Sequence, residues 1–405
     1  MHILIITDGI YPFSMGGSHR LVYEHCKVLC SMGHQVTCIV PEISRKSNFF
    51  INEGELSTVK DFKIIRFPIN ETNLFTKLKS HFCNYLAPVE ALISTKSIDV
   101  INVQYLPALF SLRKFFKNNV IHYTFHGPWA GEFSLSFIGR FEGKNKLINI
   151  FMKNIFSPIM YWIVFSLEKY LLQKCSKFMV LSNYTKNILS EKYNIKKNSI
   201  EIIPAGVDGD KFFPVYDSDF RSSINSGKSI VFLTVRRLEK RMGLDILISA
   251  CAILKKDYDD FILLIGGQGV QMSYLSNLIT KLGLENNVKM LGFIPENTLN
   301  KYLSSSDLFI LPSRDLEGFG LVVLESMACG TPILVSPEGG PPEVVALFDQ
   351  EMVLADLNPV TISNKLKDLI YSNKLNDEYS KKCINFVSER YSWKRYSGDY
   401  INWIT

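Results

Sequence analysis

Short β-rich runs alternate with longer segments of helical period along the whole chain, and this alternation narrows the fold more than any other feature. HILIITD, QVTCIVP, FKIIRFP, VINVQYL, VIHYTFH and KFMVLS form a first series; SIVFLTV, FILLIGG, VKMLGF, DLFILPS and PILVS form a second. Alternation with helices implies parallel strands covered on both faces by their crossovers. The turn-rich PAGVDGDKFFP, Pro204 to Pro214, separates the two series. At 405 residues the chain exceeds the size at which one hydrophobic core keeps growing, so two domains of roughly 200 residues are expected. The sequence therefore predicts an α/β protein of two similar lobes joined by a Gly/Pro/Asp hinge. The C-terminal ends of the strands should face a central cleft, where ligands bind.

Composition excludes several classes. With 47% hydrophobic and 21% charged residues the chain is globular and not disordered. A net charge of +6 is too mild to argue for nucleic acid and suits an anionic ligand or membrane surface. The opening MHILIITDGIYP lacks a basic n-region and a long apolar core, so it reads as a first strand and not as a signal peptide. The sequence holds no run of 18 apolar residues, which a conventional spanning helix needs. The eight cysteines are scattered without a CxxC pair and read as reduced core residues of a cytoplasmic protein.

In the second series EGFGLVVLE, Glu317 to Glu325, sets two glycines and an apolar run between two carboxylates. Paired acids suggest glycosidase chemistry. Gly318-Phe319-Gly320 is unsuited to a helix interior, however, while Leu321 to Ala328 is good helix material. Glu317 is thus expected before a helix and Glu325 about a turn inside it. Between them lie the unpaired N–H groups and positive dipole end of a helix N-terminus, a ready phosphate site.

Other stretches admit two readings each. SMGGSHR places Gly16 and Gly17 ahead of a helix, either as a phosphate-approaching loop or as a plain tight turn. TVRRLEKRMG puts Arg236, Arg237, Lys240 and Arg241 beyond a strand, as an anion clamp or a solvated loop. His126 in TFHGPW stands at a strand end facing the expected cleft, which favours a place in the site over the structural role usual for a lone histidine. Asp208-Gly209-Asp210 spells DxD but falls in the hinge, remote from both glycine-rich loops, so no metal is expected there. IGGQGVQM is no dinucleotide fingerprint, because Met272 stands where the third glycine belongs.

Taken in order, GGSHR, SMGHQVTCIV, TFHGPW, VLSNYTK, IPAGVDGDKF, RRLEKRMG, LPSRDLEGFGLVVLESMACGTPILVS and EGGPPEVV resemble the motifs of the retaining nucleotide-sugar glycosyltransferases of family four. The resemblance covers essentially the whole chain. It is most specific from Glu317 to Gly340, where the family's Glu-x7-Glu pattern is intact. It implies a GT-B architecture of two Rossmann-like domains: 1–206 on the acceptor side, 207–387 for the nucleotide sugar, and a last helix within 388–405 crossing back to the first. The aromatic stripe of that segment (Tyr391, Trp393, Tyr396, Tyr400, Trp403) reads as packing.

The resemblance further implies that Glu325 binds the donor ribose and that Glu317 lies near the transferred hexose. Backbone N–H groups from Gly318, Phe319, Gly320, Leu321 and Val322 would hold the diphosphate together with Arg237 and the Gly16–Gly17 loop, leaving His126, Arg237 and Glu317 nearest the chemistry. No metal and no cofactor beyond the donor are implied. Relatives commonly read GRLxxxKG, with a lysine that neutralises the leaving diphosphate; here Arg236 replaces the glycine and Met242 the lysine, so Lys240 or Arg241 must supply the second charge. Gln104 also departs from a common histidine.

The expected activity is hexose transfer to a glycan or lipid-linked acceptor in bacterial surface-polysaccharide synthesis. The alternatives are a nucleotide-sugar epimerase of the same fold and a nucleotide-sugar-binding protein without turnover. Arg140 to Lys177 carries seven basic residues against two acidic ones around the apolar IFSPIMYWIVFSL. It reads either as a buried helix pair or as a surface resting on anionic lipid at the inner face of the membrane.

Overall fold

Every β-rich run of the two series forms a strand in the computed structural model, which describes residues 1–14, 16–42, 59–69, 82–117, 119–139, 152–372 and 374–405. The chain divides into two units, Met1–Pro204 with Trp393–Thr405, and Ala205–Ser392.

In the first unit β1 (His2–Ile6), β2 (Gln35–Glu42), β3 (Phe62–Pro68), β4 (Val100–Val103), β5 (Ile121–Thr124), β6 (Lys177–Val180) and β7 (Ile200–Ile202) lie in the order β3-β2-β1-β4-β5-β6-β7. In the second, β8 (Ile230–Val235), β9 (Phe261–Gly266), β10 (Val288–Gly292), β11 (Leu308–Leu311) and β12 (Ile333–Val335) lie in the order β10-β9-β8-β11-β12. All pairings are parallel. The central strands β1, β4, β5, β9 and β11 are buried at every position, as strands covered on both faces must be. Both sheets reverse direction once, between β1 and β4 and between β8 and β11. At such a reversal the crossovers leave on opposite faces, opening a crevice beyond the strand C-termini.

The expected break at 388 falls inside a helix, Asp377–Arg390; the chain turns at Tyr391 and Ser392 and enters the last helix, Trp393–Ile404. That helix belongs to the first unit and packs on the helix Gly17–Ser31. Tyr396 and Tyr400 bury their rings edge-on against His25, with centroids at 4.9 and 4.4 Å, and His25 Nδ1 lies 2.9 Å from Ser397 Oγ. Trp403 stands edge-on to His122 at 5.0 Å. The aromatic stripe is therefore packing: each buried ring contributes roughly 1.5–3 kcal/mol and fixes the helix in place.

Candidate functional site

The second unit assembles its site at the β8/β11 reversal. Gly320 ends the loop after β11 at φ 77°, a left-handed conformation that glycine adopts without steric cost, and the helix Leu321–Ala328 begins with no side-chain cap. Its first turn carries no acidic residue, so the positive dipole end meets no built-in carboxylate. Glu317 precedes this helix and Glu325 is buried one turn inside it, as expected. Leu316, beside Glu317, is held at φ 59°, a costly conformation for a branched residue that only a well-determined loop sustains. A neighbouring loop clamps the same point. Gly340 N–H donates to the Glu317 carbonyl at 2.9 Å, and a Cβ on Gly339 would fall 2.6 Å from that oxygen.

The cations beyond β8 separate into distinct environments. Arg237 is exposed, with Glu239 Oε1 at 3.6 Å. Arg241 is half-buried; its Nε meets Glu239 Oε2 at 3.1 Å and its Nη1 donates to the Leu316 carbonyl at 3.4 Å, against the loop that carries Glu317. Lys240 is exposed and makes no ion pair among the described residues. Met242, at the position of the family lysine, is buried. The Arg236 side chain is also buried, and it reaches Glu317. Asp208 turns inward on its own backbone, accepting the Asp210 N–H at 3.0 Å.

The first unit places Gly16, Gly17 and His126 at strand C-termini. Gly16 and Gly17 are exposed at the start of the helix Gly17–Ser31, which no side chain caps. His19 folds back over this loop, with Nε2 at 3.4 Å from Asp8 Oδ1. Beyond β5, His126 Nε2 lies 2.8 Å from Gln104 Oε1; Gln104 Nε2 donates to Asn102 Oδ1 at 3.0 Å, and Asn102 Nδ2 to Thr124 Oγ1 at 3.1 Å. With the amides so oriented, the His126 Nε2 must carry the proton and Nδ1 is left as an acceptor. Burial lowers the His126 pKa to about 4, with Asp8 opposing the shift, so the ring is neutral at pH 7.

The chain after His126 is held by Glu168. Its carboxylate accepts the Trp129 and Ala130 N–H groups at 2.9 and 3.0 Å and the Tyr193 hydroxyl at 2.8 Å, capping the next helix from a distance. Burial pushes the Glu168 pKa up to about 7. The sequence does not single out Glu168 or Gln104 as site-shaping residues, and it offers Arg236 as part of an anion clamp where the structure pairs it with Glu317. The signal that Gln104 and Arg236 carry in the sequence is their place just past β4 and β8, strands that flank each reversal.

Models of known families match the chain in two adjoining parts: Glycosyltransferase Family 4 over residues 15–211 and Glycosyl transferases group 1 over residues 216–386. An uncharacterised glycosyltransferase of Methanocaldococcus jannaschii is 26% identical over 98% of this chain and 96% of its own. The GDP-mannose-dependent alpha-(1-6)-phosphatidylinositol monomannoside mannosyltransferase of Mycolicibacterium smegmatis is 33% identical over 41% of this chain and 45% of its own. Among solved structures, Anabaena HepE in complex with UDP-glucose superposes with a TM-score of 0.70 at 17% identity, covering 99% of both chains. Two doubly wound parallel sheets, a last helix returned to the first unit and family models spanning both units make this chain a member of the family-four glycosyltransferases, with the GT-B fold.

Proposed function

We propose that the protein transfers a hexose from a nucleotide diphosphate sugar to a glycan or lipid-linked glycan, with retention of configuration and without a metal, in the assembly of a bacterial surface polysaccharide. The observation that carries this reading is the uncapped N-terminus of Leu321–Ala328 with Glu317 before it, Glu325 inside it and cations beside it. A diphosphate suits that dipole end, and the two acids suit the sugars on its two sides. Glu325 accepts from the ribose hydroxyls, and Glu317 accepts from the hexose. The N–H groups from Gly318 to Val322, Arg237 and one of Lys240 and Arg241 hold the phosphates. In the first unit Gly16 and Gly17 offer amides to an anion, and His126 Nδ1 accepts from a sugar hydroxyl. Complexes such as HepE with UDP-glucose support a nucleotide-sugar donor, and the mannosyltransferase relative supports a lipid-linked acceptor.

In the reaction the bond from the anomeric carbon to the diphosphate oxygen breaks as the acceptor oxygen bonds that carbon on the same face. The departing phosphate takes the acceptor's proton. Fixed cations and N–H dipoles stabilise the charge that grows on the diphosphate, the task a metal performs elsewhere. Incubating GDP- and UDP-sugars with and without an acceptor extract, in excess EDTA, tests the reading. Transfer that requires acceptor and survives chelation supports it. Acceptor-independent release of nucleotide identifies an epimerase, and tight binding without turnover identifies a binding protein. Glu325→Ala should fold normally yet bind nucleotide about 10–100-fold more weakly, the cost of charge-assisted hydrogen bonds to ribose. Unchanged affinity by calorimetry removes Glu325 from the site.

Peripheral contact with an anionic bilayer belongs to the same proposal. Arg140, Lys144 and Lys146 lie outside the described residues. The helix Ser157–Leu172 buries Val164, Glu168, Leu171 and Leu172, while Ile159, Trp162, Ile163 and Tyr170 form an outward stripe, each more than half exposed. Apolar side chains so grouped on a surface call for a partner. Lys174 stands over the Tyr170 ring at 5.2 Å, with Lys169 in the last turn, so the stripe ends in positive charge that anionic headgroups complement. Among the described residues no helix is long and apolar enough to cross a membrane. Ile159→Ser with Trp162→Ser should weaken sedimentation with phosphatidylglycerol vesicles about tenfold or more. Equal binding by the variant removes this stripe from the membrane contact, and concentration-dependent dimerisation lost in the variant assigns it to self-association.

A further inference from the structure

Arg236, one residue beyond β8, carries a side chain only 5% exposed. Its Nη2 donates to Glu317 Oε2 at 2.8 Å and to Ser313 Oγ at 2.9 Å, and its Nη1 reaches the Met242 carbonyl at 3.5 Å. Burial draws the Arg236 pKa down to about 10, against the opposing pull of Glu317, so the group is still a cation at pH 7. A buried charge needs a partner, and Glu317 is its one carboxylate partner among the described residues. The contact joins the ends of β8 and β11, the strands on either side of the sheet reversal. It also fixes the carboxylate from one side while Leu316 and the Gly340 N–H fix the backbone beneath it.

We propose that Arg236 is a positioning residue for Glu317: Arg236, itself braced by Ser313, engages Oε2 and holds the carboxylate in one orientation, so that Oε1 is presented to a hydroxyl of the transferred sugar. This rests on the reading of Glu317 as the residue that meets the hexose. Arg236 then acts on the sugar end of the donor and leaves the nucleoside diphosphate to Arg237 and the backbone amides. It differs in this from the lysine that relatives commonly carry at the position of Met242, because a guanidinium engaged by a carboxylate and a hydroxyl is committed to holding a side chain.

A double-mutant cycle on the full chain tests it, using Arg236→Gln, Glu317→Gln and the pair, with Arg236→Lys as a charge-retaining variant should the glutamine disturb folding. Two affinities are measured by calorimetry for each, that of UDP or GDP and that of the corresponding sugar nucleotide, together with kcat and KM for transfer. Arg236→Gln should leave nucleoside diphosphate affinity within about twofold, weaken the sugar nucleotide about tenfold and lower kcat/KM about 10²-fold, the scale of losing one oriented polar contact. The double variant should be no worse than Glu317→Gln alone, since one residue acts through the other. Arg236→Lys should recover part of the loss. Equal losses for UDP or GDP in both backgrounds would make Arg236 a direct phosphate ligand and overturn the proposal, as would unchanged kinetics in both Arg236 variants. A Glu317→Gln that transfers normally overturns the placement of Glu317 itself. Because the affinities read the coupling without turnover, failure of the transferase reading remains distinguishable from failure of this one.

Discussion

Arg237→Ala is expected to fold normally and to transfer sugar 10²–10³-fold more slowly, a loss of about 3–4 kcal/mol in the transition state by analogy with deleting one oxyanion donor. Folding is spared because the side chain is 67% exposed and its Glu239 contact, at 3.6 Å, belongs to the class of surface pairs that contribute little. Turnover should not be spared, because on the proposed reading Arg237 opposes a charge that is larger on the departing diphosphate than on the bound donor. Only interactions that strengthen on the way to the transition state alter kcat. One, and only one, of Lys240→Ala and Arg241→Ala should approach the same deficit, as the stand-in for the lysine that Met242 displaces. The two sites differ in a way the result will decode. Arg241 is tied to Glu239 and to the Leu316 carbonyl, whereas Lys240 is exposed. Steady-state transfer beside nucleotide calorimetry for the three variants is the measurement. Near-wild-type turnover in both Lys240→Ala and Arg241→Ala would show that no local cation compensates for Met242, and would favour a binding protein or an altered mechanism.

Acid should loosen the first unit before it denatures the rest. His25 is fully buried between the Gly17–Ser31 helix and the last helix, and burial lowers its pKa from 6.5 to about 3. A histidine with a depressed folded pKa stabilises the fold fully above its unfolded value, near pH 6.5, and that contribution is lost as the pH falls toward 3. At pH 5 the loss is on the order of 2 kcal/mol for His25 alone. In a unit of this size that lowers Tm by roughly 4–8 °C. His122 and His126, both lowered to about 4, act in the same direction. Glu168 opposes them: its pKa is raised to about 7, so its ionised form penalises the fold at high pH and that penalty is relieved as the pH falls below 7. His25→Phe should flatten the pH dependence of Tm between 6.5 and 4. Limited proteolysis of the wild type at pH 5 should begin at the last helix, whose Ser397, Tyr396 and Tyr400 all contact His25. A Tm profile unchanged by His25→Phe would show that this residue does not govern the acid response.

The strands were legible because their signal is local. A run such as FILLIG is apolar at every position wherever it lies in space, and its helical neighbours carry a different period. β7 escaped for the converse reason: Ile200-Glu201-Ile202 is three residues long with an acid in the middle, and only pairing with β6 makes it a strand. The glycine-bounded start of the Leu321–Ala328 helix, with one acid before it and one within, was likewise readable, since Gly320 needs a left-handed φ and its neighbours do not. The last helix was expected to return to the first domain, but its true start at Trp393 was not, because Asp377–Arg390 continues helically through the assumed break.

What no local pattern carries is which distant residues share a charge or a proton. Arg236 and Glu317 stand 81 positions apart and His25 and Ser397 stand 372 apart, joined only by the order of strands and the return of the final helix. Sequence alone therefore determined the α/β class and the two sheets, which follow from residue type and short-range spacing, the family, which the ordered motifs carry, and the glycine-bounded helix start between Glu317 and Glu325. The tertiary structure alone decided that the Arg236 side chain is a buried partner of Glu317, that His126 is neutral with its Nδ1 left to accept, and that burial raises the Glu168 pKa. Each of these depends on desolvation and on a neighbour brought close by the fold, and burial is a property of the packed chain.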